Sequence, residues 1–177
     1  MLISFVGAPA SGKTTLALGL GFELKKMGEA VEYLPEKARD YIRMNKLLGK
    51  IDLEIYDQDA IFQAQKNQES LHVKFNGPNT FTITDGSSVN SLYYLKKDSK
   101  VNIKEEIERY DLVVVCENVE VECKDENRVH DKEFSKKMRL NFIEAIKCYD
   151  VLFVKGDVDE RLKTLVNHLK SKGLIGK

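Results

Sequence analysis

Eight consecutive residues near the N-terminus, Gly7-Ala8-Pro9-Ala10-Ser11-Gly12-Lys13-Thr14, satisfy G-x-x-x-x-G-K-[ST] at every fixed position, and Thr15 follows directly. Glycines let such a loop curl until successive backbone N–H groups point inward at phosphate oxygens. A helix beginning at its end adds the positive end of its dipole. Lys13 can reach the outer phosphates of a nucleotide, and the Thr14 hydroxyl can hold Mg²⁺. The plain alternative is a strand-to-helix turn that happens to be rich in small residues. The flanks speak against it, because Leu2–Val6 is an apolar run suited to a buried strand and residues 13–27 follow as a helix.

Two carboxylates lie where a second substrate would meet those phosphates. Glu36 stands just past the second predicted strand, at the sheet edge where open α/β folds bind ligands. There it can take the proton of a substrate hydroxyl. Arg39 and Arg43 follow at i+3 and then i+4 on the same helical face, placed to neutralise phosphate charge. A helix that starts Pro-Glu because acids suit its N-terminus, with surface ion pairs beyond, explains the same residues. Asp85 ends the run Phe81–Thr84 and precedes Gly86-Ser87-Ser88. It can hold the Mg²⁺ shell or orient the attacking hydroxyl; as a plain helix cap it would compete with Ser87. Arg128, in the charged stretch between Glu117 and Asp131, can stabilise charge on a transferred group if that stretch is a lid, about 117–131. Solvated loops are often equally charged.

The elements needed to position these groups can be read in order. Strands are predicted at 2–6, 30–34, 80–84, 111–116 and 151–154, and helices at about 13–27, 36–48, 53–75, 87–95, 101–109, 132–148 and 157–171. Pro35 suits the first helical position and Gly49 ends that helix. Alternation of this kind predicts an α/β fold, a three-layer domain around a parallel sheet of about five strands with a mobile lid, filling 1–177 as one domain. With 177 residues, 42% hydrophobic, the chain needs no disulfide or metal staple. Its 28 basic and 28 acidic residues cancel, which disfavours a nucleic-acid binder. No apolar run reaches the roughly 18 residues of a membrane span. Met1–Val6 lacks the basic start of a signal peptide. Cys116, Cys123 and Cys148 form no C-x-x-C pair and read as reduced thiols of a cytoplasmic protein. His72, His130 and His168 are too scattered for a zinc site.

A phosphate loop serves GTPases, ATPases and kinases alike. No N-K-x-D stands at a strand end, and only one helix follows Val154, too little for the helical domain of a mechanical ATPase. The pattern resembles the ribosylnicotinamide-kinase-like group of phosphate-loop kinases, itself similar to deoxynucleoside kinases. The resemblance rests on G-A-P-A-S-G-K-T-T at 7–15, Y-L-P-E-K-A-R-D-Y-I at 33–42, the helix around Gln65, T-I-T-D-G-S at 82–87, R-V-H-D at 128–131 and V-K-G-D-V-D-E-R at 154–161. It implies transfer of phosphate from ATP to an alcohol. Lys13 and Thr14 would serve ATP and Mg²⁺, with Glu36 or Asp85 as base and Arg39 and Arg128 as phosphate ligands. Phe62 or Gln65 would touch the acceptor, and Lys155 and Gly156 would lie near the adenine. Gly86 departs from the arginine that nucleoside kinases often carry after the acid. The first reading is thus a Mg·ATP-dependent kinase of a nucleoside, nucleotide or similar small alcohol. A kinase acting on nucleic acid is possible but not favoured, and an ATP-hydrolysing switch or assembly protein is the reading from another class.

Overall fold

The computed structural model describes residues 1–49, 58–92, 101–117, 140 and 143–176. Five parallel strands form one sheet in the order β2-β3-β1-β4-β5: β1 (Leu2–Val6), β2 (Ala30–Leu34), β3 (Thr80–Asp85), β4 (Leu112–Cys116) and β5 (Leu152–Val154). The helices are α1 (Lys13–Lys26), α2 (Lys37–Leu47), α3 (Gln58–Phe75), α4 (Ser88–Ser91), α5 (Ile103–Ile107) and α6 (Val158–Ser171). Every strand expected from the sequence is present. Of the helix expected at 132–148, residues 143–146 are helical and 132–139 lie outside the described residues. The stretch expected as a lid, 117–131, also lies outside them except for Glu117.

Strand alternation builds a core on each face of the sheet. Ile3, Phe5, Ile83, Leu112 and Val114 point to one side and pack with Leu16, Leu20, Leu24, Leu165 and Leu169 of α1 and α6. Leu2, Val6, Val113 and Val115 point to the other, against Val89, Ile107 and Ile146. This is why β4 reads as an unbroken apolar run and β1 as one interrupted only by buried Ser4: both faces are covered. Within α1 the buried leucines recur at i+4, whereas Leu18 and Phe22 fall on the opposite side and are 51% and 63% exposed.

The strand order creates the crevice. From β1 the chain crosses to β2 at one edge, while from β3 it crosses back over β1 to reach β4. The segment after β1 therefore leads into α1 on one face, and the segment after β3 leads into α4 on the other. Adjacent parallel strands whose connections part in this way leave an open cleft at their carboxyl ends. Phe5 pairs beside Asp85 in this register, so the phosphate loop and the acidic strand end lie side by side.

Candidate active site

The loop between β1 and α1 is held open by its backbone. Gly7 has φ +151°, and a Cβ there would meet the Cys116 carbonyl and the Ser11 hydroxyl, each at 2.7 Å. Ala10 (φ +69°) and Gly12 (φ +82°) complete the curl. Ser11 N donates to Ala8 O at 3.2 Å. α1 begins with no side-chain cap and no acid in its first turn, which leaves its positive end for an anion. Lys13 Nζ donates to Gly7 O (3.1 Å) and Ala8 O (3.0 Å), so its charge lies against the loop. Thr15 is exposed.

Asp85 closes the other wall. Its side chain is 2% exposed. Thr14 Oγ1 donates to Asp85 Oδ2 at 2.6 Å, and Tyr33 OH donates to the same oxygen at 3.3 Å. Burial first, and then the Asp85 charge, push the Tyr33 phenol well above its usual value, so it stays a donor. Asp85 Oδ1 is buried with no hydrogen-bond partner. A hydroxyl, a carboxylate and an unpartnered carboxylate oxygen fit Mg²⁺, which takes one or two protein oxygens and completes its shell with water and phosphate. The helix-cap explanation of Asp85 fails, since Ser87 caps α4 by accepting from Asn90 N.

Glu36 lies over this cleft for a reason outside its own helix. Pro35 was expected at the first position of α2, but the helix begins at Lys37, with Glu36 as an extended N-cap whose side chain caps nothing. The first amide, Lys37 N, is taken instead by Gln65 Oε1 of α3 at 2.9 Å. The Glu36 carboxylate is thereby not drawn into capping α2. It sits on Gly86 (φ +66°), where a Cβ would meet Glu36 Cγ at 2.7 Å and Cδ at 2.9 Å. Arg39 Nε is 3.8 Å from Glu36 Oε2, so the two share one face, as their i+3 spacing requires.

The structure places the remaining candidates unevenly. Gln65 is buried, and its amide nitrogen donates to Thr84 Oγ1 (3.0 Å) and Glu69 Oε1 (3.1 Å). Phe62 is buried beside it on α3, with Lys66 Nζ 5.6 Å from its ring centre. Lys155 is exposed and Gly156 turns the chain with φ +95° into α6. Arg128 lies outside the described residues.

Three contributors were missed in the sequence. Arg161 of α6, 1% exposed, donates from Nη1 to Ser11 O (3.0 Å) and from Nε to Gly156 O (2.7 Å), tying the phosphate loop to the loop after β5. Asn90 Oδ1 accepts from Gly7 N at 3.0 Å. Glu69, fully buried, anchors α3 to the start of α4. Burial holds its carboxyl above the ordinary range against the bonds it accepts. Two of the three had a signal: Arg161 stands in line with Leu165 and Leu169, and Glu69 in line with Ile61 and Gln65, charged residues on buried helical stripes.

A family model described as an AAA domain matches residues 2–161, most of the chain. The chain belongs to this AAA-domain family. The match runs from the start of β1 to Arg161 itself, so both ends of the Ser11–Arg161 bridge fall within the AAA domain. No curated protein sequence matches the chain. Two solved structures share its fold. Thymidylate kinase from Candida albicans superposes with a TM-score of 0.67 at 15% identity, over 98% of this chain and 92% of the kinase. Deoxyadenosine kinase from M. mycoides, with bound dATP, gives 0.57 at 15% identity, over 96% and 100%. The fold is thus the α/β phosphate-loop kinase fold with a five-stranded parallel sheet. Among the described residues no helix is long and apolar enough to cross a membrane.

Proposed function

We propose that the chain is a cytoplasmic, Mg·ATP-dependent kinase that transfers the γ-phosphoryl group to a hydroxyl of a nucleoside, nucleotide or similar small alcohol, within the ribosylnicotinamide-kinase-like group. The observation that carries the reading is that two carboxylates, one just past β2 and one at the end of neighbouring β3, are brought together beside the phosphate loop. Glu36 lies on Gly86, and Asp85, one residue before, is bonded to Thr14 of the phosphate loop. An acid there can take the proton of a substrate hydroxyl or, in hydrolysis, orient a water, so the acceptor decides between the two. The fold shared with thymidylate kinase and deoxyadenosine kinase supports a nucleoside-like acceptor.

The two acids divide the work. Asp85 Oδ2 already accepts two hydroxyl protons and is poorly placed to take a third. Asp85 and Thr14 are the groups that would hold Mg²⁺, which when bound offsets charge on the phosphates. Glu36, a quarter exposed at its side chain, is the base. As the acceptor oxygen forms its bond to the γ-phosphorus, its proton passes to Glu36, and the bond from that phosphorus to the bridging oxygen breaks to release ADP. Lys13 and the N–H groups of Ala10, Gly12, Lys13 and Thr14 bind the phosphates, and Arg39 and Arg128 neutralise the transferred group. Lys155 and Gly156 flank the adenine, and Phe62 shapes the acceptor side. The AAA-domain match favours a second reading, an ATP-hydrolysing switch or assembly protein.

The test is ADP release from Mg·ATP across nicotinamide riboside, the common nucleosides, their monophosphates and hydroxymethylated DNA, with Lys13→Ala as blank. Strong acceleration by one small acceptor is the expected result. Acceleration by DNA alone, or by nothing while ATP still binds, overturns it.

A further inference from the structure

A buried carboxylate that takes no part in the transfer step sits where the two walls of the cleft join. Glu69 Oε1 accepts from Ser88 N at 3.1 Å, from Gln65 Nε2 at 3.1 Å and from Thr84 Oγ1 at 3.4 Å. Oε2 accepts from Tyr110 OH at 2.6 Å and Arg109 Nη1 at 3.4 Å. Each donor to Oε1 borders a group in the proposed reaction. Gln65 holds Lys37 N, the amide directly after Glu36. Thr84 precedes Asp85 in β3. Ser88 opens α4, whose Asn90 holds Gly7 N of the phosphate loop.

We infer that Glu69 is the positioning residue that keeps Glu36 and Asp85 in register with the phosphate loop, acting through Gln65, Thr84 and Ser88. The inference rests on the kinase reading above. Packing alone does not call for a charge here: an ionised carboxylate is costly to bury, and an apolar side chain of similar volume would hold α3 equally well. What an apolar residue cannot do is bind β3 and α4 at one point together with Gln65 of its own helix. Tyr110 and Arg109 fix Oε2 from the α5 side, and that leaves Oε1 with a single orientation toward the cleft. Gln65 then serves as an extension of Glu69, reaching the one segment that Glu69 itself does not touch. The acceptor-side assignment of Gln65 becomes an indirect one, because its amide is engaged by Lys37, Thr84 and Glu69.

The experiment compares wild type, Glu69→Gln and Gln65→Met by amide hydrogen exchange, Mg·ATP affinity and steady-state kinetics with the best acceptor of the panel. Exchange at Lys37 and Ser88 is expected to accelerate about tenfold, the scale of one lost hydrogen bond, while Leu165 and Leu169 in α6 stay protected. Mg·ATP affinity is expected to hold within about threefold while kcat falls about 10- to 100-fold, the scale of a misplaced reacting group. Unchanged exchange at Lys37 and Ser88 in both variants overturns the inference. So does acceleration at all four amides together, which marks a merely structural role. If wild type shows no acceptor-dependent turnover, the kinase reading fails, and the exchange comparison still decides what Glu69 holds.

Discussion

Thr14 and Asp85 are 71 positions apart in sequence, yet the hydroxyl of one donates to the carboxylate of the other at 2.6 Å. The bond joins the first turn of α1 to the end of β3, across the gap where the connections of β1 and β3 part. It leaves Asp85 Oδ1 buried and unpartnered. A buried carboxylate oxygen without a donor is costly, and a cation is the partner that would offset that cost. The electrostatics of the cleft therefore favour a bound cation over the empty pair.

Asp85→Asn keeps an oxygen for Thr14 and removes the charge. Turnover at saturating Mg²⁺ should fall about 100- to 1000-fold, as when a charge-stabilising group is lost from a dry site. The Mg²⁺ concentration for half-maximal rate should rise, while thermal stability changes little. A Mg²⁺ titration of initial rates checks this. An unchanged Mg²⁺ midpoint would remove Asp85 from the metal site.

Glu36→Gln should abolish acceptor phosphorylation, with ATP affinity retained, because the amide cannot take the hydroxyl proton. Gly86→Ala should approach the same result from the other side. Its Cβ would meet Glu36 Cγ at 2.7 Å, and its φ of +66° costs an L residue about 1–2 kcal/mol. Single-turnover phosphotransfer beside ATP binding by calorimetry separates loss of chemistry from loss of fold. If Glu36→Gln transfers phosphate at the wild-type rate, another group is the base.

The sequence carried the phosphate loop and the five strands because both depend on local patterns: a glycine spacing, and apolar runs between helical stretches. It was weaker where a tertiary partner replaced a local one. Pro35 and Glu36 look like the opening turn of a helix, yet the helix begins two residues later, at Lys37, whose amide is taken by Gln65 of another helix. Asn90 gave no signal at all, since nothing in residues 88–91 says that its oxygen meets Gly7. Arg161 and Glu69 were legible in principle as charges on buried stripes, but their partners, Ser11 and Ser88, could be known only from the folded chain.

Arg161→Met should show that the bridge between the phosphate loop and the loop after β5 is structural and functional at once. It leaves Ser11 O and Gly156 O without their donor, a loss of about 2–4 kcal/mol in unfolding free energy. ATP affinity should fall as the loop loses its tether. Arg161→Lys should recover only part of either, because an ammonium lacks the planar fork that reaches two carbonyls. Urea unfolding and ATP calorimetry on both variants check the pair; full recovery by lysine would show that charge alone suffices.

The buried carboxylates Glu69 and Glu106 should act on stability with opposite signs of pH dependence. Burial raises both, but at Glu106 the bonds from Lys66 and from Arg109 Nη1 (2.9 Å) outweigh it and leave the group below its ordinary 4.5. A lowered folded value contributes stability above about pH 4.5, lost as the pH falls through that folded value. At Glu69 burial wins, so its contribution is present below the ordinary value and is lost as the pH rises through the folded one. Glu106→Gln should therefore cost about 3 kcal/mol near neutral pH, the scale of a broken buried pair, and progressively less as acid protonates the wild-type group. Glu69→Gln should show the reverse trend, costing more in acid than at neutrality. Urea unfolding of the three proteins at about pH 7 and about pH 4 measures both slopes; the two carboxyls share Arg109 and Ser88, so parallel slopes would mean that the added bond from Lys66 to Glu106 does not set them apart.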